Sequence, residues 1–183
     1  MTTSTSLDIQ LLPAEASADA RLMRQIADLV NRVYAIAEAG QWLPGATRTT
    51  VEEVTRLTGA CEIVVARHEG VVVGSVRVQR FSAELGGYGM LVADPDRRNT
   101  GIGRALRHFV IDMLRREGVT TLQVELLAPR DWDQPSKQFM ADWNERSGYR
   151  VVRKGALEEF YPDLAPLLAT PCDFIIYHMD LRS

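Results

Sequence analysis

The sequence predicts an α/β domain in which a mixed sheet is flanked by helices. Three observations carry this. Short apolar–polar alternations recur along the chain. Two stripes of helical period, Leu22 to Ala37 and Ile102 to Leu114, interrupt them. A turn with two glycines then joins a strand directly to the second stripe, which is the layout of a layered α/β fold.

In chain order, Leu7-Asp-Ile-Gln-Leu11 alternates and is a first strand with one face buried. A helix from about Ala18 puts Leu22, Ile26, Leu29, Val30, Val33 and Ala37 on one stripe, and Gly40 ends it. Residues 41–49 are turn-rich yet carry Trp42 and Leu43. A tryptophan in such a loop either packs over the core or lines a pocket. Thr50-Val-Glu-Glu53 is a capping box that opens a second, short helix. Two strands, Glu62 to Ala66 and Val71 to Arg80, flank a turn at His68-Glu-Gly70. A third runs from near Glu84 to Ala93, and its Gly86, Gly87 and Gly89 mark a bulge or a close approach.

Asp94-Pro95-Asp96 stops that strand, because Pro95 has no amide to donate. The long helix follows, with Ile102, Ala105, Leu106, Phe109, Val110, Met113 and Leu114 on its apolar face, and Glu117-Gly118 closes it. Thr121 to Leu126 alternates as the fifth strand. Residues 128–135 form a loop, and Ser136 can cap a helix that carries Phe139, Met140 and Trp143. Gly148-Tyr149 starts a strand through Val152. Residues 158–171 are an insertion with one helical turn around 163–168, and residues 173–181 complete the sheet.

A chain of 183 residues suits one domain with a sizeable core, residues 7–183 here, with the polar residues 1–6 as a flexible end. Apolar content of 46% and charged content of 25% are ordinary for a soluble protein, and the net charge of −3 argues against a nucleic-acid or anionic-membrane partner. No run of about 18 apolar residues is present to span a membrane, and the N-terminus carries no signal-peptide pattern. Cys61 and Cys172 show neither metal spacing nor a disulfide framework. Reduced cysteines place the expected location in the cytoplasm. No cluster suggests a metal site. His68, His108 and His178 are expected to be structural or exposed.

The turn after Ala93 is an anion site on physical grounds. The first amides of a helix lack intrahelical acceptors, and the helix dipole favours negative charge there. Arg97, Arg98 and Arg104 add cationic side chains, so a diphosphate is the natural occupant. A Walker loop is excluded because Gly103 is followed by Arg104-Ala105, not Lys-Ser/Thr. A dinucleotide fingerprint fails because Ala105-Leu106 stands at the third glycine.

What fits is Arg/Gln-x-x-Gly-x-Gly/Ala after a proline, here Pro95-Asp-Arg-Arg98-Asn-Thr-Gly101-Ile-Gly103, followed downstream by Gly148-Tyr149. With these motifs the chain resembles the GNAT N-acetyltransferase family over roughly residues 7–181. The resemblance implies a central, splayed, mostly antiparallel sheet and acetyl-CoA as co-substrate. Arg98, Asn99, Thr100, Gly101, Ile102, Gly103 and Arg104 would hold the diphosphate. Leu91, Val92 and Ala93 would pair with the pantetheine arm, with a backbone amide near Leu91 facing the thioester oxygen. The acceptor side would lie in the first helical region, which makes Trp42, Leu43 and Arg48 pocket candidates.

The family often protonates the leaving thiolate with a tyrosine four residues before the Gly-Phe/Tyr pair. Asn144 stands there in this chain. An amide contacts the sulfur but donates a proton poorly, so either another group or water serves, or transfer is slow or lost. Glu84 and Glu125 are the candidate bases. Tyr88, Trp132, Glu159 and Tyr161 are further pocket candidates. An acidic pocket formed by Glu84, Glu125 and Glu159 would favour a cationic small molecule. The expected activity is acetyl transfer from acetyl-CoA to a primary amine, by a monomer or homodimer. The alternative is a CoA-binding sensor or interaction module of the same fold with weakened catalysis.

Overall fold

The computed structural model describes residues 6–182, so the expectation of a flexible N-terminus falls almost wholly outside it. The strands are β1 (Asp8–Leu11), β2 (Ile63–His68), β3 (Val71–Arg80), β4 (Leu85–Ala93), β5 (Thr121–Pro129), β6 (Arg150–Ala156) and β7 (Cys172–Asp180). The helices are α1 (Ala20–Ala37), α2 (Val51–Gly59), α3 (Ile102–Arg116) and α4 (Pro135–Arg146). Short 3-10 turns occupy Ala14–Ala18, Pro95–Arg97, Leu157–Glu159 and Ala165–Leu167. The last falls inside the helical turn expected in the insertion.

The strands form one mixed sheet in the order β1-β2-β3-β4-β5-β7-β6. All pairings are antiparallel except that of β4 with β5. The β2–β3 hairpin turns through Glu69 and Gly70, both at positive φ (52° and 79°), as a tight two-residue turn requires.

Each face of the sheet carries its own core. On one, Ile102, Leu106, Val110 and Leu114 of α3 pack against Val64, Val76, Val78, Leu122 and Val124. On the other, Met23, Ile26 and Val30 of α1 and Val54 and Leu57 of α2 pack against Ile63, Val65, Met90 and Val92. Strand alternation sends neighbouring residues to opposite faces, which is why β2 is buried along most of its length. Asp19 caps α1 by accepting from the Leu22 amide at 3.0 Å, and Thr50 caps α2 through the Glu53 amide.

Two of the glycines on β4 are there for packing. A Cβ on Gly86 would meet Leu114 at 3.0 Å, and one on Gly87 would stand 2.4 Å from the Gln123 carbonyl oxygen. Gly74 of β3 faces α3 in the same way, with Ile102 2.6 Å from the position of a Cβ. These glycines let α3 and β5 close on the middle of the sheet.

Candidate active site at the splayed strands

β4 and β5 pair through only three rungs, Leu85↔Thr121, Gly86↔Leu122 and Gly87↔Gln123. Beyond Gly87 they separate. The register of β3 against β4 slips between Ser75 and Arg77, which leaves Met90 and Leu91 opposite one residue. Met90 takes φ 49°, a left-handed conformation that costs a non-glycine residue on the order of 1–3 kcal/mol. Such a bulge bends its strand, here away from β5. Because the two strands run parallel, their carboxyl ends and the N-termini of α3 and α4 all gather at the open end. That is where ligands bind in sheets of this kind.

A cavity of about 360 Å³ lies there, lined by residues 97–103 of the turn, by Val33, Ile36 and Ala37 of α1, and by Ser136 of α4. Asn99 and Gly101 both have positive φ (61° and 80°), so the turn curls its amides inward as an anion-binding nest does. The first intrahelical bond is Ala105 N to Gly101 O at 2.9 Å, which leaves the amides of residues 102–104 without helical acceptors. A Cβ on Gly101 or Gly103 would meet no atom within 4 Å, so neither glycine is required by packing. Their open faces fit a bulky anion. Arg98 and Arg104 are exposed beside the turn. Arg97 is drawn away toward Asp94 (3.9 Å) and His68 Nδ1 (3.4 Å). Arg32 of α1 binds Asp94 at 2.9 Å and steadies the base of the turn.

A second cavity of about 600 Å³ continues on the other side of α1, between β4, β5, the loop after α1 and the insertion before β7. Glu125 of β5 faces it. Its Oε1 accepts from Gln123 Nε2 at 3.1 Å, and its Oε2 accepts from the Tyr161 hydroxyl at 3.0 Å. Gln123 Oε1 in turn lies 2.9 Å from His178 Nε2, which requires the ring proton on that nitrogen. Burial first, and the Arg150 charge second, hold the His178 imidazole below its ordinary 6.5. Burial, reinforced by Glu125, pushes the Tyr161 phenol up to about 12. Tyr88 also lines this cavity, and burial raises its phenol well above the usual range, with Tyr149 OH 3.4 Å away.

The two cavities meet where α1 ends and α4 begins. Ser136 Oγ donates to the Ala37 carbonyl at 2.7 Å, and Gln134 Nε2 donates to the same carbonyl at 2.7 Å. Lys137 Nζ lies 2.6 Å from Glu38 Oε1, while Trp42 Nε1 donates to Glu38 Oε2 at 2.6 Å. Ser136 therefore does not cap α4, whose N-terminus starts with Pro135. Its hydroxyl is engaged by α1. The contacts of Gln134, Ser136 and Lys137 with the end of α1 are not suggested by spacing in the sequence, since those partners lie about a hundred residues apart.

Of the residues singled out from sequence, 98–103 line the first cavity together with Ala93; Trp42, Leu43, Arg48, Tyr88, Glu125 and Tyr161 line the second. The loop residue Trp42 lines the cavity and donates to Glu38, and it belongs to neither core. Leu91 and Val92 lie on β4 beyond its last rung with β5. Four candidates are elsewhere. Glu84 is exposed at the closed end of the splay, where its carbonyl accepts from the Thr120 and Thr121 amides. Parallel pairing puts the start of β4 at the end opposite the cleft, and Glu84 lines neither cavity. Asn144 is 3% exposed on the inner side of α4 and lines neither cavity. Its carbonyl closes the helix by accepting from the Ser147 and Tyr149 amides. Glu159 turns back to the Ala156 amide and Arg153, and Trp132 packs near Gly40 with its Nε1 on Thr170. The acidic pocket expected from Glu84, Glu125 and Glu159 therefore keeps only Glu125.

The sequence model of the Acetyltransferase (GNAT) family matches residues 25–144. A comparison with curated protein sequences finds no match. Among solved structures, N-acetylglutamate synthase from Neisseria gonorrhoeae, complexed with coenzyme A and N-acetyl-glutamate, aligns with a TM-score of 0.62 at 17% identity. That alignment covers 98% of this chain but only 36% of the synthase. The structure of yncA from Salmonella typhimurium with its cofactor acetyl-CoA aligns at 0.63 and 14% identity, over 96% of this chain and 94% of that one. An aminoglycoside 6'-N-acetyltransferase complexed with coenzyme A aligns at 0.67 and 14% identity, over 95% and 97%. At these identities the likeness is one of fold. Among the described residues, no helix is long and apolar enough to cross a membrane.

Proposed function

Since the chain belongs to the acetyltransferase (GNAT) family, we propose that it is an acetyl-CoA-dependent N-acetyltransferase of the cytoplasm acting on the primary amine of a small molecule. The observation that carries the reading is the open nest of Asn99 to Gly103 at the mouth of the splay, whose glycines no packing requires. Neighbours of the same fold that hold coenzyme A or acetyl-CoA support it.

Acetyl-CoA supplies an activated acetyl thioester. In this reading the amides of residues 99–104, with Arg98 and Arg104, hold its diphosphate. The free edge of Leu91, Val92 and Ala93 takes the pantetheine arm as an added strand. The backbone amide near Leu91, re-aimed by the bulge, faces the thioester oxygen and stabilises charge that develops there. Glu125 receives the ammonium proton directly or through water, so that the neutral amine attacks. With Asn144 out of the cavities, water or a protonated hydroxyl at the larger cavity, that of Tyr88 or Tyr161, offers the departing thiolate its proton. The residue at position 144 still marks the alternative, a CoA-binding module without turnover.

Calorimetric titration with acetyl-CoA tests the cofactor, with Gly103→Glu as the control that sets a carboxylate against the diphosphate. Saturable binding lost in the variant supports the site. Thiol release with primary amines then separates enzyme from sensor. No binding at millimolar acetyl-CoA would sink both.

A further inference from the structure

We propose that the larger cavity is built for a zwitterion: a primary amine that also carries a carboxylate-like anion on an apolar body, with Arg48 holding the anion. This rests on the acetyl-transfer reading and names its acceptor class.

The case is an accounting of charge. Six ionic side chains line the cavity: Glu38, Glu53, Glu125, Arg48, Arg77 and Lys137. Lys137 and Glu38 neutralise each other at 2.6 Å, with both side chains nearly buried. Arg77 is held by Glu62 at 2.7 Å, and Glu53 faces Arg56 at 4.0 Å. Two remain. Glu125 is bound only by the neutral donors Gln123 and Tyr161. Arg48 has no carboxylate within ion-pair range among the described residues; it lies 5.2 Å over the Tyr34 ring. One unmatched anion and one unmatched cation thus face the same space.

Arg48 is also positioned. Its neighbour Thr49 is bound to Asn31 of α1 twice, Asn31 Nδ2 to the Thr49 carbonyl and the Thr49 amide to Asn31 Oδ1, both at 3.0 Å. Tyr161 lines the same cavity as both charges and donates to Glu125. Part of the remaining wall is apolar, with Leu157, Leu164, Leu167 and Phe174 beside Leu43, while Asn31, Thr47 and Gln79 are polar. A guanidinium matches a carboxylate with two parallel hydrogen bonds, which a simple cationic amine cannot use.

Matched pairs that differ only in the carboxylate decide it: leucine against isopentylamine, and phenylalanine against phenethylamine. Thiol release gives kcat/KM for each with acetyl-CoA. Calorimetry of the corresponding N-acetylated products, with CoA present, reads the same preference without turnover. The expected result is a preference of about 10-fold or more for the acid of each pair, carried by KM. Arg48→Gln should erase it and Arg48→Lys should keep part of it, with acetyl-CoA affinity unchanged in both. Equal or better use of the amines that lack the carboxylate, or a preference that survives Arg48→Gln, overturns the proposal. So does a failure of every pair to react or bind while acetyl-CoA still binds. Loss of acetyl-CoA binding itself in the wild type would instead bring down the underlying reading.

Discussion

Gly87 and Gln123 form the last rung before β4 and β5 part, and their backbones are so close that a Cβ on Gly87 would stand 2.4 Å from the Gln123 carbonyl oxygen. The mouth of the cleft is hinged on this contact. A methyl group there cannot be absorbed by a flexible side chain, because the obstacle is backbone. Gly87→Ala is expected to destabilise the fold by about 1–3 kcal/mol, which lowers Tm by about 2–4 °C per kcal/mol in a chain of this size. It should also weaken acetyl-CoA binding by moving the strands apart. Gly103→Ala, whose Cβ meets nothing, is the comparison and should leave Tm within a degree or so. Equal melting of the two variants would contradict the hinge.

The strut between α1 and α4 predicts a second result. Glu38 is 6% exposed and receives Lys137 and Trp42, each at 2.6 Å. Lys137→Met leaves a buried carboxylate without its cation and should cost about 3–5 kcal/mol. Removing both charges, with Glu38→Leu added, should restore much of that, because the uncompensated charge has gone. Thermal melts of the single and double variants check it; a double variant no better than the single would show that packing, not charge, sets the cost.

Glu125 is the acidic side chain in the acceptor cavity that lacks a cationic partner. In its proposed role as acceptor of the amine proton, its change to Gln should lower kcat by about 10²–10⁴-fold while leaving the acetyl-CoA Kd alone. Steady-state rates beside calorimetry separate the two effects. An unchanged kcat would leave proton removal to solvent.

The raised phenol of Tyr161 makes a prediction in alkali. Its folded pKa of about 12 exceeds the ordinary 10.0, chiefly through burial and then through Glu125. The folded state therefore holds the proton more tightly. The contribution to stability is fully present below pH 10 and is lost as pH rises from 10 through about 12. Denaturant titrations of the wild type should show a steeper fall across that window than those of Tyr161→Phe. Parallel curves would mean that the phenol is not protected.

The elements themselves were legible because each carries its own period. The stripe from Leu22 to Val30 is the buried face of α1, and Ile102, Leu106, Val110 and Leu114 are that of α3. Boundaries drifted where pairing, not pattern, decides the end. β5 runs on to Pro129 and β6 to Ala156 because both are zipped against β7, down to Pro129↔Cys172 and Ala156↔Asp173. The turn before α3 was legible for a similar reason: Pro95 and Gly101 impose local backbone geometry within seven residues.

By itself the sequence determined the order of strands and helices and the turn before α3, which follow from local backbone preference and period, while the motif from Pro95 to Gly103 with Gly148-Tyr149 carried the resemblance to the family. Only the tertiary structure decided which side chains share the acceptor cavity. Glu84 and Glu125 look alike in sequence, yet parallel pairing of β4 and β5 sends one to the closed end and the other to the cleft. Trp42 meets Leu168, and Lys137 meets Glu38, across about a hundred residues or more of chain. Such contacts depend on how the sheet is ordered and bent. No period or spacing along the chain records them, and so the charge balance that points to an acceptor emerges only once the fold has brought Arg48, Glu125 and Tyr161 together.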